Sequence, residues 1–444
     1  MHASNVKKIF LGSTLFFSLI GLNLKTPAFA LNETPVTVDT VRDMPAVVLD
    51  SEKNVFIAWR EHTSDPAKVA VVLQKIDPSG ERAWSKEKTL LAPQHMVTDH
   101  FALTIDKKNN LYLHWAYRTP GSTLIHYALQ KFDRNGEKLW ESPLLYAQTF
   151  TDNEAYLLGD VSAPKIDPQG NIHVISHKKI FNHTQMLYQI FDQNKNARWS
   201  EPRVVAETEQ GTESQFYIAD LELQPLEKSA YMSFIGVDEG VNDRYFYVVL
   251  KVDYQAEIAW TQKFEIPVNE EVAPAFINLP TADEKYNIHL GWALKNTETG
   301  YLTQYFKTIK ADGTLLDDQS KSTNRLYYEG LRATILEPST TNSNLYGIAF
   351  NNILELYGYK YGDNGQLTEK IISVNPRKNN IFYNINNWSL TSTKNGESYF
   401  AWSQHEQAED GHATNYQIFV QKFTSNLSKT WGIGEKANSK RPSR

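Results

Sequence analysis

One short segment recurs along the chain at a near-constant interval, and it constrains the fold more than any other feature. Its first copy reads Ile76-Asp77-Pro78-Ser79-Gly80-Glu81-Arg82-Ala83-Trp84, and its second Phe132-Asp133-Arg134-Asn135-Gly136-Glu137-Lys138-Leu139-Trp140. Further copies run from Phe191 to Trp199, Val252 to Trp260, Ile309 to Asp317, Tyr361 to Glu369 and Phe423 to Trp431. The copies ending in Asp317 and Glu369 lack the Trp but keep Gly313 and Gly365 and an apolar stretch upstream. The Asp carboxylate caps its own turn, Pro78 presets φ at the next position, and Gly80 or Gly136 admits the positive φ that follows a type I turn. The segment therefore reads as a tight hairpin leading into an outermost strand, whose Trp seals one unit against the next. From Trp84 to Trp431 the chain advances 347 residues over six intervals, about 58 per unit, a period that suits stacked supersecondary units.

Two more strands precede each hairpin. The second-strand copies are Val55 to Trp59, Leu111 to Trp115, Ile172 to Ser176, Ala230 to Phe234, Ile288 to Trp292, Leu345 to Ala349 and Ser398 to Trp402. Upstream of them lie short apolar runs such as Ala46 to Leu49, Ala102 to Ile105 and Ala275 to Ile277. Four short strands per unit with turns at short intervals predict an all-β chain of antiparallel meanders. Seven units arranged radially make a single seven-bladed β-propeller, which leaves only short, protected edges; an open solenoid is the competing arrangement. Pro35-Val36-Thr37-Val38 stands before the first unit without a unit of its own, so we expect an N-terminal strand to close the last blade. The polar tail from residue 438 to 444, with Lys440, Arg441 and Arg444, is expected to be disordered.

The first thirty residues address the chain for export. Lys7-Lys8 form a positive start, Ile9 to Leu24 an apolar stretch, and Ala28-Phe29-Ala30 a small-residue cleavage site. This predicts a signal peptide over residues 1–30, a propeller over 31–437, and a periplasmic or secreted mature protein beginning at Leu31. An uncleaved anchor is the alternative, disfavoured because Gly21 and Asn23 interrupt an already short run. No other stretch approaches spanning length. The chain has no cysteine, which excludes disulfides, thiolate metal sites and a cysteine nucleophile. Its net charge of −6 argues against a nucleic-acid partner, which calls for a basic stripe.

The Asp…Gly…Trp hairpin resembles the repeats of two propeller families. Quinoprotein-type repeats, of the pyrroloquinoline quinone-dependent dehydrogenases and related scaffolds, place a docking Trp four residues after a Gly, as Gly80/Trp84 and Gly136/Trp140 do. Sialidase-type Asp-box repeats share the Asp-x-x-Gly-like turn, with their aromatic closer to the Gly. Here the Asp precedes the Gly by one residue fewer than quinoprotein repeats imply, and there is no Cys pair. The resemblance implies architecture, and no catalytic residue of either family carries over.

In such an architecture one face collects the loops between second and third strands, and these vary in length and charge from unit to unit. Binding residues usually lie on variable loops over a rigid scaffold. Loop-face candidates are Arg60, His62, Arg118, His177, His405 and Glu406. A second set occupies one register, seven residues before the end of each inner strand: Asp43, Asp99, Asp160, Tyr217, Glu271, Gly330 and Asn387. These positions are expected to ring the mouth of a central channel, where the carboxylates would make a negative funnel for a cation or sugar hydroxyls. The plainer reading is that they are turn-capping or solvated acids. Ca²⁺ is the cofactor such a mouth would suit, although no motif indicates it. Trp59, Trp115, Trp292 and Trp402 suit either sugar-stacking platforms or, given their shared register, core between units.

No nucleotide-binding loop, zinc-hydrolase, serine-hydrolase or EF-hand motif is present. The leading expectation is therefore a monomeric, non-enzymatic binding module that recognises a protein or glycan on its loop face. The alternative is a carbohydrate-active enzyme: paired carboxylates serve glycoside hydrolysis, and His or Tyr with Arg serves polysaccharide elimination.

Overall fold

The computed structural model describes residues 29–30 and most of 41–431; the longest stretch left out within that span is 151–162. The described strands form seven antiparallel sheets, six of four strands and one of five. Numbered in chain order, sheet one comprises Arg42–Leu49, Val55–His62, Val69–Ile76 and Lys88–Gln94. Sheet two comprises Met96–Ile105, Leu111–Arg118, Leu124–Phe132 and Leu144–Phe150. Sheets three and four have Ile172–Ile180 and Ser229–Asp238 as second strands, sheets five, six and seven Ile288–Asn296, Leu345–Phe350 and Ser398–Gln407. The expected second strands thus begin within one residue of where they are found. No helix among the described residues is long and apolar enough to cross a membrane.

Carboxylates build the turns. Asp77 Oδ1 accepts from the amides of Ser79 (2.8 Å) and Glu81 (3.0 Å), and the Gly80 amide donates to the Asp77 carbonyl (3.0 Å). Asp133, Asp192 and Asp253 repeat this arrangement. So do Asp50, Asp106 and Asp167 in the turns between first and second strands. The turn position with left-handed φ is Gly in three described units (Gly80, Gly136, Gly313) but Lys195 (72°) and Ala256 (70°) in two others. There the Asp bonds carry the turn without help from glycine.

The Trp positions differ from expectation. Trp84, Trp140 and Trp199 precede the outermost strand rather than lying on it; only Trp260 falls within one, Ile258–Ile266. The reason is a fixed bond: a third-strand Gln ten residues upstream donates to the Trp carbonyl, as Gln74 to Trp84 (3.4 Å), Gln130 to Trp140 (2.7 Å), Gln189 to Trp199 (2.8 Å) and Gln421 to Trp431 (3.1 Å). Each indole then packs edge-on or tilted against an aromatic of its own sheet, Trp84 on Phe56 and Trp431 on Tyr399. The Lys after the Gln covers that same ring, Lys75 over Phe56 (5.1 Å) and Lys422 over Tyr399 (5.4 Å).

The cores lie between sheets. Side chains alternate along each second strand, so Val55, Ile57 and Trp59 join a cluster with Tyr399, Ala401, Ile418 and Val420 of sheet seven, whereas Phe56 and Ala58 join one with Leu111, Leu113 and Trp115 of sheet two. Sheets two and three, three and four, and four and five share cores in the same way. First and last sheets are thus direct neighbours. Trp431 lies over Gly80, where an added Cβ would sit 3.0 Å from its Cγ, and its indole N–H donates to the Pro78 carbonyl (3.3 Å). Trp260 stands in the same relation to Gly313 of sheet five.

An N-terminal strand does pair with the outer edge of sheet seven, but it is Phe29–Ala30, opposite Val420 and Phe419. The expected Pro35–Val38 strand lies outside the described residues, as do residues 1–28 and the tail 438–444. Cleavage after Ala30 and this pairing exclude one another in a mature chain.

Candidate functional site

The loop-face candidates are strand residues. Arg60 and His62 end Val55–His62, Arg118 ends Leu111–Arg118, His177 lies in Ile172–Ile180, and His405 and Glu406 lie in Ser398–Gln407. The expectation that they sit in loops fails because ladder pairing runs several residues past the apolar core: His62 still faces Val69, and Arg118 faces Ile125.

The inner strands are irregular at the register expected for the acidic set. Register shifts occur between Asp43 and Ala46, Met96 and Phe101, Phe216 and Ala219, and Ile385 and Trp388. Asp43, Asp99, Tyr217 and Asn387 therefore sit at or within bulges, which re-aim side chains and bend the strand. Asp160 and Glu271 lie outside the described residues, as does Gly330. Met44 beside Asp43 adopts left-handed φ (47°), a conformation costly for a side-chain-bearing residue.

At this bulge the structure brings three candidates together. Arg60 donates from Nε to Asp43 Oδ1 (2.8 Å) and from Nη2 to Oδ2 (2.7 Å), a bidentate pair. His62 Nε2 bonds the same Oδ2 at 3.1 Å. Burial pushes the Asp43 carboxyl up, but the bonds from His62 and Arg60 outweigh it and hold the group below the usual carboxylate range. Asp43 is thus not an open acid at a channel mouth: it is an ionised anchor for Arg60, which is 3% exposed, and for His62, whose side chain is 24% exposed. Beside it Arg42 donates to Glu61 at 3.2 Å.

Alternation assigns each strand-end residue to a cleft between sheets. His62 shares the side of Phe56 and Ala58 and so fronts sheet two. Tyr117 packs against the core shared by sheets one and two and so fronts sheet one; its ring stacks on His126 (5.1 Å, 21°). Asp43, Arg60, His62, Tyr117 and His126 therefore belong to one cleft. Tyr117 and His126 escaped the sequence reading, although the period-two pattern of Leu111–Arg118 carries the signal that places Tyr117. Arg118 falls on the opposite side of its strand, toward sheet three. His177 shares the side of Ile175, which packs with sheet four. His405 reaches the register of His62, eight residues into its strand.

The proposed stacking platforms are core. Trp59, Trp115, Trp292 and Trp402 are buried, and Trp292 stacks on Tyr305 within its own sheet. Among the described residues no group of three or more His, Asp or Glu is placed to hold a metal ion.

No family model matches the chain, and no curated protein matches it. Solved structures do. The polysaccharide lyase Uly1 superposes with a TM-score of 0.52 at 13% identity, covering 85% of this chain and 90% of its own. A PL25 ulvan lyase superposes with a TM-score of 0.51 at 10% identity, covering 88% and 96%, and its form bound to -[GlcA(1-4)Rha3S]- with 0.52 at 10%. At such identities the likeness is one of fold: the neighbours are β-propeller proteins, and the chain shares their all-β build of four-stranded antiparallel sheets. The quinoprotein-type resemblance goes no further than the Gly/Trp spacing.

Proposed function

We propose that the chain is an exported, closed seven-bladed propeller that cleaves an acidic polysaccharide by elimination, in the cleft between sheets one and two. The observation that carries this reading is the triad at the strand end: an imidazole held by an ionised carboxylate, itself locked by a buried Arg, on the side facing Tyr117. Closure is supported by Trp431 on Gly80 and by the core common to sheets one and seven. Export is supported by the leader pattern of the first thirty residues. In the exported chain Pro35–Val38 would take the edge that Phe29–Ala30 occupies.

Elimination needs a base for the proton beside a uronate carboxylate and an acid for the leaving oxygen. His62 binds Asp43 through Nε2, and its Nδ1 has no hydrogen-bond partner among the described residues. Nδ1 takes the C5 proton of the sugar, the C5–H electrons form the C4–C5 double bond, the C4–O bond breaks, and Tyr117 protonates the departing oxygen. Asp43 steadies the imidazolium. The chemistry favours elimination over hydrolysis, because a glycosidase needs one carboxyl kept protonated and Asp43 is held ionised. The solved lyase structures favour it over the non-catalytic reading expected from sequence, since two polysaccharide lyases share the fold.

Incubation with uronate polymers, followed by ultraviolet absorbance of the unsaturated product, tests the proposal. The native chain should release product, and His62→Ala should abolish release while melting as cooperatively as before. Absence of unsaturated product from every uronate polymer tried with the native chain would sink the lyase reading. Retention of a glycan or an envelope protein without turnover would then restore the binding one. A specific observation favours that second reading: Arg60 is committed to Asp43, so it is not at liberty to neutralise a substrate carboxylate in this cleft.

A further inference from the structure

The neighbouring cleft, between sheets two and three, carries two cations at its loop end. Along Leu111–Arg118, Tyr112 and Ala116 join the core shared by sheets two and three; along Ile172–Ile180, Ile172 and Val174 join that same core. Neither strand has a register shift against its third-strand partner from these residues to its loop end. Unbroken alternation therefore puts Arg118 on the side of sheet two that fronts sheet three, and Lys178 on the side of sheet three that fronts sheet two. Both are exposed, at the loop end of one cleft. Among the described residues neither has an ion pair or a hydrogen-bonded side chain.

That freedom contrasts with the turn face, where the repeat couples its cations to carboxylates: Lys75 to Asp50, Lys131 to Asp106, Lys251 to Glu227 and Lys422 to Glu397. The local sequence reinforces it. Neither 116–124 nor 177–184 contains an acidic residue, whereas 236–243 carries Asp238, Glu239 and Asp243, and 403–415 carries Glu406, Glu409 and Asp410. In a chain of net charge −6, the loops between second and third strands of sheets two and three thus carry cations without acids. Two cations without a partner among the described residues, on facing sides of neighbouring sheets, suit an oxyanion, Arg by its planar fork and Lys as a point charge.

We propose that this cleft is the anion subsite of the glycan, where Arg118 and Lys178 take a carboxylate or sulfate ester of a sugar chain lying across the loop ends. The proposal rests on the acidic-glycan reading for the nature of the polymer, but not on its cleavage. The anion met there belongs to another sugar of the chain than the one beside His62.

The test is calorimetric titration of the full chain carrying His62→Ala, which cannot turn over substrate by the proposed route. The probes are oligogalacturonate (carboxylate only), dextran sulfate (sulfate only) and dextran (neither). Arg118→Gln with Lys178→Gln should weaken binding of an anionic probe by at least about tenfold, the worth of one charge-assisted hydrogen bond. It should also flatten the loss of affinity with added salt, while Arg118→Lys retains most of the affinity. Whichever anionic probe binds more tightly identifies the group recognised. The proposal is overturned if the double variant binds as its parent does, or if the parent binds neither anionic probe better than dextran. Variant-dependent binding without turnover in the native chain would leave this inference standing and remove the lyase reading; turnover with variant-independent binding would do the reverse.

Discussion

Asp43 shows how much one carboxylate settles when it is shared. Its two oxygens hold Arg60 and His62, so Asp43→Asn leaves a buried guanidinium without its counter-charge and should cost about 3 kcal/mol, measured by denaturant unfolding. Because its folded pKa lies below the ordinary value for Asp, about 3.9, the stabilisation is complete above that pH and fades as pH falls through the folded value; the substituted chain should lose less stability in that acid window. His173 has the opposite character. It is fully buried, bonded to Tyr188 (2.6 Å) and Asp167 (3.4 Å), and burial drives its pKa below 6.5 despite the carboxylate. The unfolded chain thus binds its proton first, and stability should fall as pH drops below about 6.5. Melting curves of His173→Gln should lack that slope. Sequence could nominate Asp43 by its register, but not its engagement: the bonds depend on a bulge and on a strand partner seventeen residues away.

At the scale of the element, the unit is held by a short relay from Gln to Trp to the next turn. Gln130 is buried and its amide reaches the Trp140 carbonyl at 2.7 Å. Gln130→Met, near in volume, should destabilise by roughly 1–2 kcal/mol through that one lost bond and the unsatisfied carbonyl, read as a shifted urea midpoint with unchanged slope. Gly80→Ala should cost about 1–2 kcal/mol, from left-handed φ together with the approach to Trp431. The relay is legible in the sequence: Gln-Lys-Ile-Asp at 74–77, Gln-Lys-Phe-Asp at 130–133 and Gln-Ile-Phe-Asp at 189–192 precede the turns. Strand ends were less legible. Hydrophobic periodicity stops where burial stops, whereas backbone pairing continues to the loop, so Arg60, His62 and Arg118 looked like loop residues.

For the whole molecule, the seam between sheets seven and one is where the ring we propose would open. Trp431→Ala removes a side chain 6% exposed that spans this seam and should cost roughly 3–5 kcal/mol. Deleting residues 31–40 separately tests the proposal that Pro35–Val38 takes the edge of sheet seven in the exported chain; an unchanged melting temperature would refute a closing role for it. By itself the sequence determined the all-β class, the repeat, its register and the turn chemistry, because each depends on residues within about ten positions of one another and on a period that composition cannot hide. Only the tertiary structure decided which residues share a cleft. Each cleft joins alternate positions of one second strand to alternate positions of the next, more than fifty residues on in the pairs named here. That pairing of His62 with Tyr117, and of Arg118 with Lys178, exists only once neighbouring sheets have buried their facing side chains against each other.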